Sequence, residues 1–311
     1  MSKYAIGCDI GGSHISSVAI NLEKKEVLEG SYASLKVDNQ APANDILLQW
    51  VSTLKKSLAA IEKEELAGIG FAMPGPFEYD KGIARFTHEV KKYESLNGIH
   101  VGKQIKEMLA LSPNQEVRFM NDATAFAVGE AWMGKAAGYA RSLSITLGTG
   151  FGSAFIDNGI PIVEREDVPK LGCLWHLPYK DGIADDYFST RWCTIRFAEK
   201  SGLQLAGVKE IAACINTNPK AAEVFEEFGE NLGKFLGPWL KKFKAEALVI
   251  GGNISDAYNF IGPCFKKKLL QQGITTSIQL SELKEDAALI GSARLFEENF
   301  WIQVQPLLSK M

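Results

Sequence analysis

The chain has little of what marks a secreted, membrane or nucleic-acid-binding protein. Its five cysteines, Cys8, Cys173, Cys193, Cys214 and Cys264, are odd in number and scattered along 311 residues. That spacing excludes a disulfide framework and fits reduced thiols in the cytoplasm. No N-terminal apolar stretch resembles a signal peptide, and no run approaches membrane-spanning length. Lys and Arg number 34 against 37 Asp and Glu, and no basic block breaks the balance, so an electrostatic nucleic-acid surface is excluded too. The sequence therefore reads as cytoplasmic, with neither nucleic acid nor membrane among its partners. With 46% hydrophobic and 23% charged residues it can build a large core, and its length suits two domains.

Glycine is clustered where it matters. Asp9-Ile10-Gly11-Gly12-Ser13-His14 and Leu147-Gly148-Thr149-Gly150-Phe151-Gly152 each follow one apolar run and precede another. Neither fits a Walker loop or a dinucleotide fingerprint, both of which open a helix, because both loops here open strands. Either could be an ordinary hairpin. Two in the same setting predict duplicated halves closing on one polyphosphate, with amides of Gly11, Gly12, Gly148, Thr149 and Gly150 turned to phosphate and Ser13 and His14 donating further bonds. Asp9, at a strand end, would face Mg²⁺ or its water shell.

Between the loops, residues 117–120 read as a short strand ending in Asn121-Asp122, and Ala123 to Ala131 has helical composition. Asp122 has two readings. As an N-cap it would bond the orphan amides of the first helical turn. As a general base it would take the proton of a substrate hydroxyl attacking a γ-phosphate, and its place between two phosphate loops favours that role.

These segments, with Pro74-Gly75-Pro76 and Gly251-Gly252-Asn253-Ile254, resemble in order and spacing the ROK family of bacterial sugar kinases, repressors and open-reading-frame proteins. The resemblance covers nearly the whole chain. It implies an α/β fold of the two-domain actin-like, ribonuclease-H-like ATPase type with a cleft between domains, and ATP-dependent phosphorylation of a hexose or related sugar. It also implies ATP and Mg²⁺ as cofactors and a homodimer. On its pattern Asp122 is the base, Asn121 holds a sugar hydroxyl, Gly75 edges the sugar site and Asp9 organises magnesium. Both glycine loops hold phosphates, and Gly251, Gly252 and Asn253 approach the adenosine.

The departures concern the sugar. Family kinases carry Gly-Glu-x-Gly-His, whose Glu and His bind sugar and whose His commonly ligates a structural zinc; here Gly172-Cys173-Leu174-Trp175-His176 stands in its place. His176 is kept for the sugar. A thiol at Cys173 lacks the two-oxygen acceptor of a carboxylate, while Trp175 offers a stacking face or, as simply, core packing. The family's Cys-x-Cys-Gly-x-x-Gly-Cys cluster is missing from residues 177–184, so no zinc is expected, and Asp185 takes the place of a further sugar-binding Glu. Where the family has an asparagine-containing stretch, His88 and Glu89 read first as solvated loop residues, with substrate contact as the alternative.

The expected domains are 1–118 joined by a C-terminal helix of about 291–311, and 119–290. Strands are predicted at 4–8, 16–22, 27–33, 66–72 and 247–250, and helices at 43–61, 187–200, 208–215 and 220–243. The alternative function is a non-catalytic sugar-binding or regulatory protein of the same family. Family repressors place a helix-turn-helix domain ahead of the first phosphate loop, and only a few residues precede Asp9 here, so DNA binding is not expected.

Overall fold

The run Tyr4–Ile10 is apolar on both faces and is buried along nearly its whole length, as a strand in the middle of a sheet must be. In the computed structural model, which describes residues 3–88 and 92–311, it lies at the centre of a six-stranded sheet. The order is Glu26–Val27, His14–Asn21, Tyr4–Ile10, Leu66–Met73, Glu116–Asn121, with Ala33–Lys36 also on His14–Asn21. The Tyr4–Ile10 and His14–Asn21 pair is antiparallel; the pairings from Tyr4–Ile10 to Leu66–Met73 and on to Glu116–Asn121 are parallel. The strand expected at 27–33 is two pieces instead. Ser31 donates both its amide and its hydroxyl to the Leu28 carbonyl, and Gly30 at φ 77° turns the chain between them.

The helix Ala43–Leu58 buries Ile46, Leu47, Trp50 and Leu54, the spacing of one apolar face. A second helix, Asp122–Met133, packs on Asp286–Ala293 so closely that a Cβ on Gly129 would lie 1.9 Å from the Ala287 carbonyl oxygen, and one on Gly291 1.8 Å from that of Ala125. Only glycine allows this approach. Arg118 fixes the C-terminal segment in turn: its guanidinium lies 4.6 Å from the Phe296 ring and 3.8 Å from the Trp301 ring, and it donates to the Leu295 carbonyl at 2.6 Å.

These contacts move the domain boundary. The first compact unit comprises Met1–Gly134, Gly159–Pro161 and Glu285–Met311, and the second Lys135–Asn158 and Ile162–Lys284. The first thus runs past residue 118 because Glu116–Asn121 is hydrogen-bonded in register to Leu66–Met73, carrying the following helix with it. It reclaims the chain from Glu285 rather than 291 because the whole of Asp286–Ala293 packs on that helix.

The second unit repeats the sheet order. Phe151–Asp157 is antiparallel to Arg141–Leu147, which is parallel to Ala247–Gly251, itself parallel to Ser277–Leu280. Thr190–Ser201, Val208–Ala213, Pro219–Phe243 and Tyr258–Gln271 are its principal helices. The third starts where Asn218 accepts a bond from the Lys220 amide and Pro219 fills the first helical position. Phe155, Phe188, Phe197, Phe225, Phe228, Phe243 and Phe265 form its fully buried aromatic core. Among the described residues no helix is long and apolar enough to cross a membrane.

Candidate active site

Strand register decides which loops meet in the first unit. Asp9 pairs with Ala72 and Met73 with Asn121, so three parallel strands end side by side and release Asp9, Pro74-Gly75-Pro76 and Asn121-Asp122 at one edge. Ligands of open α/β sheets bind at such carboxyl edges. The Gly75–Pro76 peptide is cis. Burial, with the charges of Asp122 and then Glu285 added to it, pushes the Asp9 carboxyl up to about 7. Glu285 is far away in sequence and carries no motif, so only the fold brings it to Asp9.

Asn121, not Asp122, caps the helix. Its side-chain oxygen accepts from the Thr124 amide at 3.1 Å and from the Thr124 hydroxyl at 3.3 Å. Its amide nitrogen donates to Asp122 Oδ1 at 3.0 Å and to the Tyr79 hydroxyl at 3.2 Å, and the Ala123 amide donates to the same Oδ1 at 2.8 Å. Asp122 is the first helical residue, half-buried, and its Oδ2 takes no donor among the described residues. The Tyr79 hydroxyl, buried at 4% exposure, donates a hydrogen bond to the Met73 carbonyl at 3.1 Å. Nothing in its sequence context marks it.

The first glycine loop is held by its carbonyls. Gly11 accepts from the Tyr93 hydroxyl at 2.7 Å, Gly12 accepts from the Asn39 side-chain amide, and the Ser13 carbonyl accepts from the Val37 amide at 2.9 Å. The Gly11 amide closes the hairpin on the His14 carbonyl at 2.9 Å, while the amides of Gly12 and Ser13 meet no protein acceptor among the described residues. A loop with carbonyls turned inward and amides free is a cradle for an anion. Tyr93 is fully buried, and burial, with Cys8 and Asp9 nearby, drives its phenol further up, keeping it a donor. Asn39 lies outside both glycine motifs and is legible only from the fold.

In the second loop Leu147 pairs directly with Phe151, leaving Gly148, Thr149 and Gly150 as the turn. The Gly148 carbonyl accepts from the Thr190 amide at 2.8 Å and hydroxyl at 3.0 Å. The Phe151 amide donates to Asp185 Oδ1 at 2.7 Å, and Asp185 Oδ2 lies 3.6 Å from the Arg191 guanidinium. Asp185 thus tethers the loop through Oδ1 and lies beside Arg191 through Oδ2. Gly251 pairs with Thr146, and Gly252, at φ 81°, backs onto Leu147, where a Cβ would stand 2.4 Å from the carbonyl oxygen. Asn253, exposed, opens the short helix that follows.

His176 is half-buried in the same unit, its Nδ1 3.7 Å from Cys173 Sγ; burial, then Lys170, lowers its pKa, so the ring is neutral near pH 7. Burial lifts the Cys173 thiol to about 11, leaving it uncharged. Trp175 is not a core residue: it is 44% exposed, with its ring 5.4 Å from that of His176 and nearly perpendicular to it. Its backbone carbonyl accepts from the Asp185 amide at 3.0 Å. Among the described residues no three His, Cys, Asp or Glu side chains gather as a metal-ligating group. His88 is exposed, and Glu89 lies outside the described residues.

Comparison with known proteins agrees with this arrangement. The ROK family matches residues 5–299. The glucokinase of Thermotoga maritima is 24% identical over 94% of this chain and 97% of its own. The N-acetyl-D-glucosamine kinase of Haemophilus influenzae is 24% identical over 93% and 98%. The crystal structure of a ROK family glucokinase from Streptomyces griseus, in complex with glucose and AMPPNP, superposes with a TM-score of 0.74 at 20% identity, over 95% of this chain and 99% of that one. The fold is thus that of the ROK sugar kinases, the actin-like ATPase fold. With the match running almost end to end, the chain belongs to the ROK family.

Proposed function

We propose that the protein is an ATP-dependent kinase that phosphorylates a hydroxyl of a hexose or related sugar, with Asp122 as general base. One observation carries the reading: Asp122 has one oxygen fixed by Ala123 and Asn121 and the other free, at the sheet edge that also holds Asp9 and the first glycine loop. The free oxygen takes the hydroxyl proton as the sugar oxygen attacks the γ-phosphorus and the bond to the β-phosphate oxygen breaks. Free amides at Gly12 and Ser13 are suited to one end of the phosphate chain, and the turn Gly148–Thr149–Gly150 with Gly251, Gly252 and Asn253 to the nucleotide.

Asp9 fits magnesium. Its buried carboxyl, held near its proton by Asp122 and Glu285, makes an anionic corner that a hard cation with oxygen ligands relieves. Asp9 would hold Mg²⁺ there, and the ion would supply charge neutralisation to the phosphates. Gly75, His176 and the exposed face of Trp175 are the proposed sugar contacts, consistent with relatives named for glucose and N-acetylglucosamine.

An ADP-coupled screen over hexoses, N-acetylhexosamines and pentoses, run beside Asp122→Asn, tests the proposal. At least one sugar should stimulate turnover, and loss of the carboxylate should lower kcat by about two to four orders of magnitude. A wild-type rate in the Asn variant would remove Asp122 from the chemistry. The second reading, a sugar-binding protein without strong catalysis, draws on the uncharged Cys173 and on Asp185 bonding the Phe151 amide. It requires sugar binding by calorimetry with no turnover in the same screen.

A further inference from the structure

We infer that Asn39 and Tyr93 form one latch that sets the first glycine loop for the donor's phosphates, which makes both of them positioning residues for the transfer. The inference rests on the reading that the Gly12 and Ser13 amides take phosphate. Packing does not fix this loop. A Cβ on Gly12 would meet nothing within 4 Å, and the atoms nearest to one on Gly11 belong to the ring of His14 in the same loop. Glycine peptides rotate easily, and a flipped one would turn a carbonyl instead of an amide toward an anion. Because a peptide is planar and trans, holding its carbonyl also aims its N–H the opposite way. The Tyr93 hydroxyl on the Gly11 carbonyl therefore sets the Gly12 amide, and the Asn39 side chain on the Gly12 carbonyl sets the Ser13 amide. Those two amides are the ones that meet no protein acceptor among the described residues.

The two donors come from separate segments and are tied to each other. The Tyr93 amide donates to the Asn39 carbonyl at 2.8 Å, and the Ser95 hydroxyl donates to the Ala41 carbonyl at 2.8 Å. A backbone carbonyl can only accept, so Asn39 faces Gly12 with its nitrogen, while the Gln40 side-chain amide donates to Asn39 Oδ1 at 2.7 Å. Tyr93 itself sits at φ 57° and ψ 22°, a left-handed backbone that a bulky residue keeps only where its surroundings hold it. Those surroundings are the Trp50 and Phe86 rings, 5.6 and 5.8 Å from its own, and the side chain is fully buried. The strained tyrosine is thus fixed at both ends, by its ring in the core and by its hydroxyl on the loop.

Calorimetry of the full chain with Mg²⁺ tests the latch, titrating AMPPNP directly and AMP by its displacement into wild type, Tyr93→Phe, Asn39→Ala and the double variant. AMP lacks the outer phosphates and serves as the internal control. Each single variant should weaken AMPPNP by about 5- to 10-fold, the cost of losing a preorganised loop, and leave AMP within about twofold. In the double variant the loss should fall short of the product of the two, since both donors act on one short loop. A role confined to stability would lower the melting temperature and move both ligands alike. The latch is wrong if the variants bind AMPPNP as the wild type does, if AMP weakens as much as AMPPNP, or if the two losses multiply in full. A wild type that binds AMPPNP no more tightly than AMP would overturn the phosphate reading of the loop itself, and the latch with it.

Discussion

The two glycine hairpins share a sequence pattern and a place in duplicated sheets, yet they are held in opposite ways. The first, at Gly11–Ser13, is tied by its carbonyls to neutral donors, Tyr93 and Asn39, and stands beside the carboxyl of Asp9. The second, at Gly148–Gly150, is tied by an amide to an anion, Asp185, and by a carbonyl to Thr190. Hence the first loop stands beside the raised carboxyl of Asp9, while the carboxylate at the second, Asp185, is bonded to the Phe151 amide and lies 3.6 Å from Arg191. One motif thus sits in two electrostatic settings, set by what lies behind the backbone.

Removing the charge from the first loop should have the largest effect. Asp9→Asn is expected to lower kcat by about 10²- to 10³-fold, read in the coupled assay across a magnesium titration. The same variant has a signature in stability. Asp9 carries its proton to about pH 7 in the folded chain against an ordinary 3.8, so folding is favoured below about pH 4 and that contribution is lost as pH rises to about 7. Urea melts of metal-free protein should show stability falling over that window and level above it; in Asp9→Asn the slope should flatten. An unchanged slope would assign it to another group.

Cutting the tether of the second loop comes next. Asp185→Ala orphans the Phe151 amide and leaves Arg191 to Asp186 alone, and should cost about 1–2 kcal/mol, since the carboxylate is partly exposed. The KM for ATP should rise more than that for the sugar. The reverse order would return Asp185 to the sugar site. The smallest effect is at the first loop's own tether: Tyr93→Phe should cost about 1 kcal/mol by losing the bond to Gly11, with most of the burial kept. A loss as large as that of Asp185→Ala would mean the two tethers are equivalent.

Much of the fold was legible because it depends on local pattern. Apolar runs bounded by glycine read as strands, and the spacing of Ile46, Leu47, Trp50 and Leu54 read as a helix face. The split of 27–33 was not legible, since it turns on Ser31 bonding back to Leu28. Nor was the domain boundary, which depends on Glu116–Asn121 choosing Leu66–Met73 as its neighbour. In the proposed site, the glycine and carboxylate motifs were legible because they are local patterns of residue type. Tyr79, Asn39 and Glu285 were missed because a lone Tyr, Asn or Glu has no periodicity to announce it.

Sequence alone determined the composition of this protein's chemistry: two amide cradles, a carboxylate at each of two strand ends, and the pattern that joins it to its family. Those features are covalent and local, so residue order carries them. Only the tertiary structure decided how each is used. Burial beside two other carboxylates sets the charge of Asp9, Asp185 is tied to the Phe151 amide beside Arg191, and Asn121 caps its helix at Thr124 while bonding Asp122 and Tyr79. Desolvation and hydrogen bonding depend on which groups meet in space, and residues as distant in sequence as Asp9 and Glu285 meet only when the chain has folded.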